Sequence, residues 1–424
     1  MAAEVLEIVS RHRPSSIGLV EPADFTTSAG GPVDAAHALR PEVSLYCLDL
    51  PNRRALFVET GTDVDLAAAP FYYQAQFEHA RRLIAVPYDE FHRLAAARDD
   101  PGGRLVLLYS TGRCGSTLLS RAFGQAPGVV SLSEPDVLTQ IVGLRPTDGS
   151  ADREVEALAA ASVRLLCKPN AAHTRAETRW VIKFRSMGIE VADLLHRAFP
   201  AARSLFLYRD AEAVVESSLR AYQAPPKAPD LATPEGRELV HRYVSWLRAG
   251  PARQMLRVLG AATRAAGRRD WPVLRRLAQG LVQSLRGAEP SKEQLCAVLW
   301  VSAVSRYLEL HRAGAIPVAF RYEDMVAKPR ETLEAIFRHA GLPTESAGAA
   351  CDAVMGRDSQ EGSPLSREQA KSVVLSDGQL AEMRQTVRAV VAMHREIAIP
   401  GFVAPGTTPG AVEPPDRCVY APAR

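Results

Sequence analysis

The sequence predicts an α/β protein, a three-layer sandwich in which helices cover both faces of a central parallel sheet. From residue 104 onward, short apolar segments alternate with helix-compatible ones, the pattern of strand–helix–strand units. The first of these apolar segments runs directly into a small-residue turn of the kind that binds phosphate. The length of 424 residues, 47% of them hydrophobic, suffices for one large core and an additional subdomain.

The parallel sheet is predicted to contain five strands, at 104–109, 128–132, 179–185, 203–208 and 316–321. We therefore place the core at 104–345, interrupted by a helical, arginine-rich insertion at 221–293. The arginines of this insertion are typical of solvated helix faces, which is the favoured interpretation. The alternative is a helical lid over a ligand pocket that favours acidic ligands.

Residues 1–100 are predicted to form a small α+β region in which we find no chemistry. Segments 43–50 and 55–59 flank a Pro-Asn-Arg-Arg turn and predict a hairpin, and 72–82 and 88–97 predict helices. A break at 99–103, Asp-Asp-Pro-Gly-Gly, separates this region from the core.

After the core, residues 346–399 are expected to supply a C-terminal loop and helix. Residues 400–424 are rich in Pro and Gly and are expected to form a poorly ordered tail.

The composition excludes several functional classes. A net charge of +3 is too small for a protein that binds nucleic acid through a strongly basic surface. The six cysteines are scattered, without a C-x-x-C pair or a histidine cluster at metal spacing, and predict reduced thiols in a cytoplasmic protein. We find neither a signal-like N-terminus nor an apolar stretch of about 20 residues, so no membrane association is expected.

The small-residue turn follows the first predicted strand and departs from the nucleoside triphosphate version of this motif. Gly112 and Gly115 permit a tight turn, and Ser116 and Thr117 begin a helix whose free N–H groups favour an anion. When the turn is aligned with G-x-x-x-x-G-K-S/T, Ser116 stands in place of the lysine. The cation of the turn is instead Arg113, three residues earlier.

Two further segments, in the same chain order, give the sequence a family resemblance. One is a strand that ends at Arg209, with Ser217 eight residues later, and the other contains Tyr322-Glu323-Asp324. With the turn at 113–118, Pro329 and the Gly-Leu-Pro at 341–343, these segments resemble the sulfotransferases that use 3′-phosphoadenosine 5′-phosphosulfate (PAPS). The resemblance spans about 240 residues, in agreement with the fold class predicted above.

This resemblance implies a PAPS site without a metal ion. The turn would hold the phosphosulfate, Arg209 and Ser217 would bind the 3′-phosphate, and Tyr322 would contact the nucleotide. The implied cofactor-binding residues are Arg113, Cys114, Gly115, Ser116, Thr117, Leu118, Arg209, Ser217 and Tyr322.

Other interpretations of three of these features stay open. A local ion pair with Asp210 is the less favoured alternative for Arg209, and packing at a strand end is an alternative for Tyr322. Segment 356–363 stands roughly where the family carries another phosphate loop, although its motif is missing.

The implied catalytic residues are Glu134, Arg113 and Lys183. Arg113 occupies the position of a catalytic lysine in cytosolic members, whereas Arg185 stands where those members place a histidine base, and an arginine cannot act as one. Glu134 resembles the glutamate of other bacterial sulfotransferases, and we expect its pKa to be raised toward neutrality. Alternatively, Glu134 caps the next turn, and Lys183 serves in a plain salt bridge. Without Glu134 as the base, the remaining candidates are substrate-assisted transfer or a histidine such as His173 or His196.

The sequence thus predicts a cytoplasmic enzyme that transfers a sulfuryl group from PAPS to a hydroxyl, or less readily an amine, of a small molecule or sugar. Two rival hypotheses are a nucleoside-triphosphate-dependent kinase and a non-catalytic nucleotide-binding protein. The acceptor and the oligomeric state have no signature in the sequence.

Overall fold

A computed structural model describes residues 2–13, 18–145, 149–168, 178–222, 292–361 and 374–392, with shorter pieces up to residue 408. The arginine-rich insertion predicted at 221–293 lies almost wholly outside these residues, as do His173 and residues 409–424.

An antiparallel five-stranded sheet dominates the N-terminal region. Its strands, in the order β2-β1-β5-β4-β3, are β1 (Ala3–Arg11), β2 (Phe25–Val33), β3 (Val43–Asp49), β4 (Arg54–Glu59) and β5 (Arg82–Pro87). The predicted hairpin is confirmed, with Val43 opposite Glu59. The predicted helices are present as α1 (Tyr72–His79) and α2 (Tyr88–Ala96). Strands β1, β2 and β5 were not predicted.

The second sheet is parallel and contains all five predicted strands. In the order β10-β9-β6-β8-β7, they are β6 (Leu105–Ser110), β7 (Val129–Ser133), β8 (Arg179–Lys183), β9 (Arg203–Tyr208) and β10 (Val318–Arg321). The chain starts at the central strand β6, moves to the edge at β7, returns through β8 and then crosses to β9. The turn that follows β6 therefore lies at the switch point of the sheet, where α/β folds bind ligands.

Helices cover both faces of this sheet. They are α3 (Ser116–Gly124), α4 (Val137–Leu144), α5 (Asp152–Leu166), α6 (Ala192–Ala198), α7 (Ala211–Tyr222), α8 (Lys292–Arg312), α9 (Tyr322–Ala327), α10 (Pro329–Ala340), α11 (Ser346–Val354) and α12 (Asp377–Val391). Alternate residues of β6 belong to two apolar clusters. Val106 and Leu108 pack with α3, α10 and α11, and Leu105 and Leu107 with the helices of the opposite face.

Residues 401–408 pack against the core, although the sequence predicts poor order from residue 400. Ala404 is buried, and its N–H donates to the hydroxyl of Tyr208 at 3.1 Å. Thr407 forms a parallel bridge with Ala319, and the ring of Phe402 lies edge-on to Trp300 with centroids 6.0 Å apart. The expectation of disorder is wrong for this stretch because its apolar side chains find partners in the core.

Candidate active site

The turn between β6 and α3 has a left-handed backbone at three of its residues. Gly112, Arg113 and Gly115 all have positive φ angles, of 74°, 49° and 82°. A left-handed conformation is unusual for arginine, and such strain persists only where the surroundings enforce it. The turn leads into the N-terminus of α3, whose first N–H groups have no partner within the helix.

Gly115 is required at its position by a close neighbour as well as by its φ angle. A Cβ atom at Gly115 would lie 2.8 Å from the ring of Tyr322 and 2.9 Å from the Met325 side chain. The start of α9 is therefore packed tightly against the turn, and this packing brings Tyr322 into the site.

Arg113 joins three distant parts of the chain. Its Nε donates to Ser217 Oγ of α7 at 3.2 Å, and its Nη1 donates to Gln360 Oε1 at 3.0 Å. The segment around Gln360, assigned to the site from its position alone, thus does lie beside the turn. Ser217, which the resemblance pairs with Arg209, hydrogen-bonds Arg113 in this structure.

Arg209, which follows β9, lies on the same side of the turn. Its Nη1 donates to the carbonyl of Arg113 at 3.3 Å, and its Cζ lies 4.6 Å above the ring of Tyr322. Asp210 does not form the ion pair with Arg209 considered above, because its Oδ1 accepts from N–H groups at the start of α7. Among the residues that the structure describes, no carboxylate is within ion-pair distance of Arg113 or Arg209.

Two of the predicted cofactor-binding residues turn their side chains into the core. Cys114 Sγ donates to the carbonyl of Leu207 at 3.3 Å, and burial raises the pKa of this thiol. Leu118 belongs to the apolar cluster between the sheet and α10. Only the backbone groups of Cys114 and Leu118 could face a ligand.

Lys183 and Glu134 meet at the carboxyl ends of two adjacent strands. Lys183 is the last residue of β8, and Glu134 follows β7 with a φ angle of 61°. Lys183 Nζ forms an ion pair with Glu134 Oε1 and also donates to Thr117 Oγ1 at 3.3 Å. The salt bridge expected as the alternative role of Lys183 is therefore present, and it lies within reach of the start of α3.

Glu134 is held in its ionised form. Burial alone would raise the pKa of its carboxyl group, but the charges of Lys183 and Arg185 outweigh burial and leave the pKa below the usual value. The expectation that this pKa is raised toward neutrality is wrong, because both neighbours are cations. Nor does the Glu134 side chain cap the next helix, since it is engaged with these cations and α4 has no side-chain cap.

Three side chains of the site, Asp136, Tyr73 and Arg185, make contacts that were not predicted from the sequence. Arg185 Nε lies 2.8 Å from Asp136 Oδ1 and 3.6 Å from Glu134 Oε2, and its Cζ lies 4.4 Å above the ring of Tyr73. Asp136 also accepts from the N–H of Val20 at 2.9 Å. Asp136 is two residues after Glu134, and Arg185 is two residues after Lys183. Because side chains two residues apart at a strand end share a face, this spacing could have predicted the cluster.

The N-terminal region forms one wall of the site, although its sequence gives no sign of this. Ser133 Oγ donates to the carbonyl of Pro70 at 2.7 Å, and Lys183 Nζ lies 5.6 Å from the centroid of the Phe71 ring. Together with Tyr73, whose ring lies against Arg185, this segment packs beside the Glu134–Lys183 pair.

His196, an alternative candidate for the base, lies far from the cluster of Glu134, Lys183, Arg185 and Asp136. It is in the last turn of α6, which returns the chain toward the beginning of β9, whereas the site is at the opposite, carboxyl edge of the sheet.

The described residues contain no group of three or more His, Cys, Asp or Glu side chains placed to hold a metal ion. In the same part of the chain, no helix has the length and apolar character needed to span a bilayer.

No family model matches the sequence, and no curated protein matches it. Among solved structures, the chain is similar to sulfotransferase STF9 from Mycobacterium avium at 12% identity, covering 72% of this chain and 79% of that one, with a TM-score of 0.39. It is similar to the sulfotransferase domain of the Synechococcus PCC 7002 olefin synthase at 18% identity, with coverage of 67% and 93% and a TM-score of 0.32. It is also similar to a sulfotransferase from Alicyclobacillus acidocaldarius at 13% identity, with coverage of 68% and 94% and a TM-score of 0.31. Superpositions this loose do not assign a function, so the functional argument depends on the site itself.

Proposed function

We propose that this protein is a sulfotransferase that moves a sulfuryl group from PAPS to a hydroxyl, or less readily an amine, of a small molecule or sugar. One observation carries the proposal. Arg113 and Arg209 converge on the turn between β6 and α3, which has no lysine, and neither pairs with a carboxylate among the described residues. Two such cations beside a helix N-terminus favour a ligand with more than one anionic group.

The arrangement suits a nucleotide whose two anionic groups are on different parts of the molecule. The N–H groups at Gly115, Ser116 and Thr117 would bind the phosphosulfate. Arg209, which lies across the turn on the Tyr322 ring, would bind the 3′-phosphate, with Ser217 as an additional donor. ATP lacks a phosphate at the 3′ position and would leave Arg209 unused.

In the reaction, the acceptor oxygen forms a bond to sulfur while the bond from sulfur to the 5′-phosphate oxygen breaks. The product nucleotide is adenosine 3′,5′-bisphosphate, and negative charge grows on its 5′-phosphate as the bond breaks. Arg113 is the cation assigned to that charge, and Lys183, which already contacts Thr117 at the start of α3, is assigned to the transferring group.

Glu134 is assigned as the base that takes the proton of the acceptor. It is ionised at neutral pH, as a base must be, but its lowered pKa makes it weak while Lys183 holds it. An incoming sulfuryl group would compete for the ammonium group of Lys183 and free Glu134 to accept the proton.

The direct test is incubation with PAPS and pools of hydroxyl and amine acceptors, following adenosine 3′,5′-bisphosphate. The expected result is acceptor-dependent release of the bisphosphate without added metal. A parallel reaction with Mg²⁺ and ATP tests the kinase hypothesis. Turnover of ATP without turnover of PAPS would refute our proposal and support a kinase. Tight binding of the bisphosphate without transfer to any acceptor would favour the non-catalytic alternative.

A further inference from the structure

A groove runs along one side of α3, beside the predicted nucleotide site, with which it shares Thr117. Its volume is about 320 Å³, within the range of small-molecule pockets. Thr117, Arg121 and Gly124 line it at the i, i+4 and i+7 spacing that places them on one helix face. Opposite them lie β7, the loop at 65–70 and the segment at 353–359. We call this cavity the α3 groove.

The α3 groove adjoins the proposed reaction centre. Thr117 and Ser133 both line it, and Thr117 accepts a hydrogen bond from Lys183, while Ser133 directly precedes Glu134 in the chain. The hydroxyl groups of Ser120 and Ser131 are hydrogen-bonded to each other at 2.8 Å between α3 and β7. A molecule that lies in the groove with one end at Thr117 would therefore present that end to the Lys183–Glu134 pair.

Two arginines give the α3 groove a positive charge. The Nε atom of Arg121 is buried and has no hydrogen-bond partner among the described residues. Arg357 is exposed on the opposite wall, and neither arginine pairs with a carboxylate in the part of the chain that the structure describes. The one acidic lining residue, Asp65, accepts the N–H of Ala67 and caps a short helical turn.

We propose that the α3 groove binds the acceptor, and that the acceptor carries an anionic group such as a carboxylate about one helical turn away from its reacting hydroxyl group. This inference rests on the proposed function. Arg121 lies one helical turn beyond Thr117, so the anionic group would be about 6 Å from the reacting oxygen, at 1.5 Å per residue. A guanidinium group donates charge-assisted hydrogen bonds to a carboxylate, and its two N–H groups match the two carboxylate oxygens. The groove would therefore select anionic acceptors over neutral ones.

The test compares 4-hydroxybenzoate with 4-hydroxybenzamide, which has nearly the same shape but no charge. Calorimetric titrations are made with the full protein, both free and saturated with adenosine 3′,5′-bisphosphate. We expect the carboxylate to bind at least about ten-fold more tightly than the amide in both states, the scale of one charge-assisted hydrogen bond.

Substitutions then locate the binding site. Arg121→Gln should abolish the preference for the carboxylate, Arg121→Lys should keep part of it, and Arg357→Gln should weaken it. Arg338→Gln, at an exposed arginine on α10 outside the groove, is the matched control and should change nothing. Melting temperatures of all four variants check that each one folds.

Equal affinity for the two probes, no binding of the carboxylate, or a preference that survives Arg121→Gln would each overturn the groove assignment. These outcomes are separate from a failure of the proposed function. If the bisphosphate does not bind, the sulfotransferase proposal fails, and the titrations of the nucleotide-free protein still decide whether the α3 groove binds anions.

Discussion

The Lys183–Glu134 ion pair should make Glu134→Gln costly to the fold as well as to catalysis. The Lys183 side chain is only 3% exposed and that of Glu134 14%, so the substitution leaves a buried ammonium group without its counter-charge. Breaking one partner of a buried pair costs about 3 to 5 kcal/mol. Since Arg185 keeps Asp136 at 2.8 Å, only Lys183 is stranded, and we expect the lower end, about 3 kcal/mol.

The assay is a double-mutant cycle of Glu134→Gln, Lys183→Met and the combined variant, measured by urea and thermal unfolding at neutral pH. If the two charges stabilise each other, the combined variant loses less stability than the sum of the single variants, by about 1 to 3 kcal/mol. Glu331→Gln, which breaks the exposed pair with Lys328, should cost no more than about 1 kcal/mol. Strictly additive losses would refute the coupling.

The same pair predicts how stability depends on pH. The folded pKa of Glu134 is below its unfolded value, so the carboxylate contributes its full stabilisation above the usual glutamate pKa and loses it as pH falls through the lowered one. Glu134→Gln should therefore flatten this acidic loss of stability. If Glu134 is also the base, the acidic limb of the rate profile lies below the ordinary glutamate range and disappears in the variant. An acidic limb unchanged by the substitution would exclude Glu134 as its origin.

Three further predictions concern the turn and the nucleotide. Arg113→Ala should lower turnover by about two to three orders of magnitude while nucleotide affinity falls less, and the reverse pattern would make Arg113 a binding residue only. Gly115→Ala, which places a methyl group 2.8 Å from the Tyr322 ring at a φ angle of 82°, should weaken nucleotide binding in calorimetry at least about ten-fold. Normal affinity in that variant would show that the turn tolerates displacement of α9. Arg209→Ala should abolish most of the preference for adenosine 3′,5′-bisphosphate over AMP in thermal-shift measurements, a loss of about 1.5 to 3 kcal/mol. An intact preference would place the 3′-phosphate elsewhere.

The parallel sheet could be predicted because its strands are buried on both faces and therefore form continuous apolar runs. The family resemblance assigned Glu134, Lys183 and Arg209 to one site, and the carboxyl ends of parallel strands, where these residues lie, do meet at one edge of a sheet. β2 escaped prediction because its Ser-Ala-Gly-Gly-Pro stretch is typical of a loop, and only pairing with β1 makes it a strand.

The electrostatics of the site could not be predicted, because its partners are distant in sequence. Gln360 lies 247 residues from Arg113, and Tyr73 comes from a region without motifs. Burial raises the pKa of Glu134, whereas the charges of Lys183 and Arg185 lower it. Which effect is larger depends on the distances from the carboxylate to the two cations, and these are known only from the structure. The sequence predicts that a strand end is buried, but it does not show which side chains face that end.

The stretch at 401–408 has a consequence for how the protein should be truncated or tagged. Phe402 packs against Trp300 and Tyr208, and the indole N–H of Trp300 donates to the backbone carbonyl of Arg209 at 2.8 Å. A chain cut at residue 400, as its Pro- and Gly-rich composition invites, would remove this support and loosen the strand end that holds Arg209. An affinity tag is better joined beyond residue 408, because a tag that replaces the stretch would remove the packing that supports Arg209.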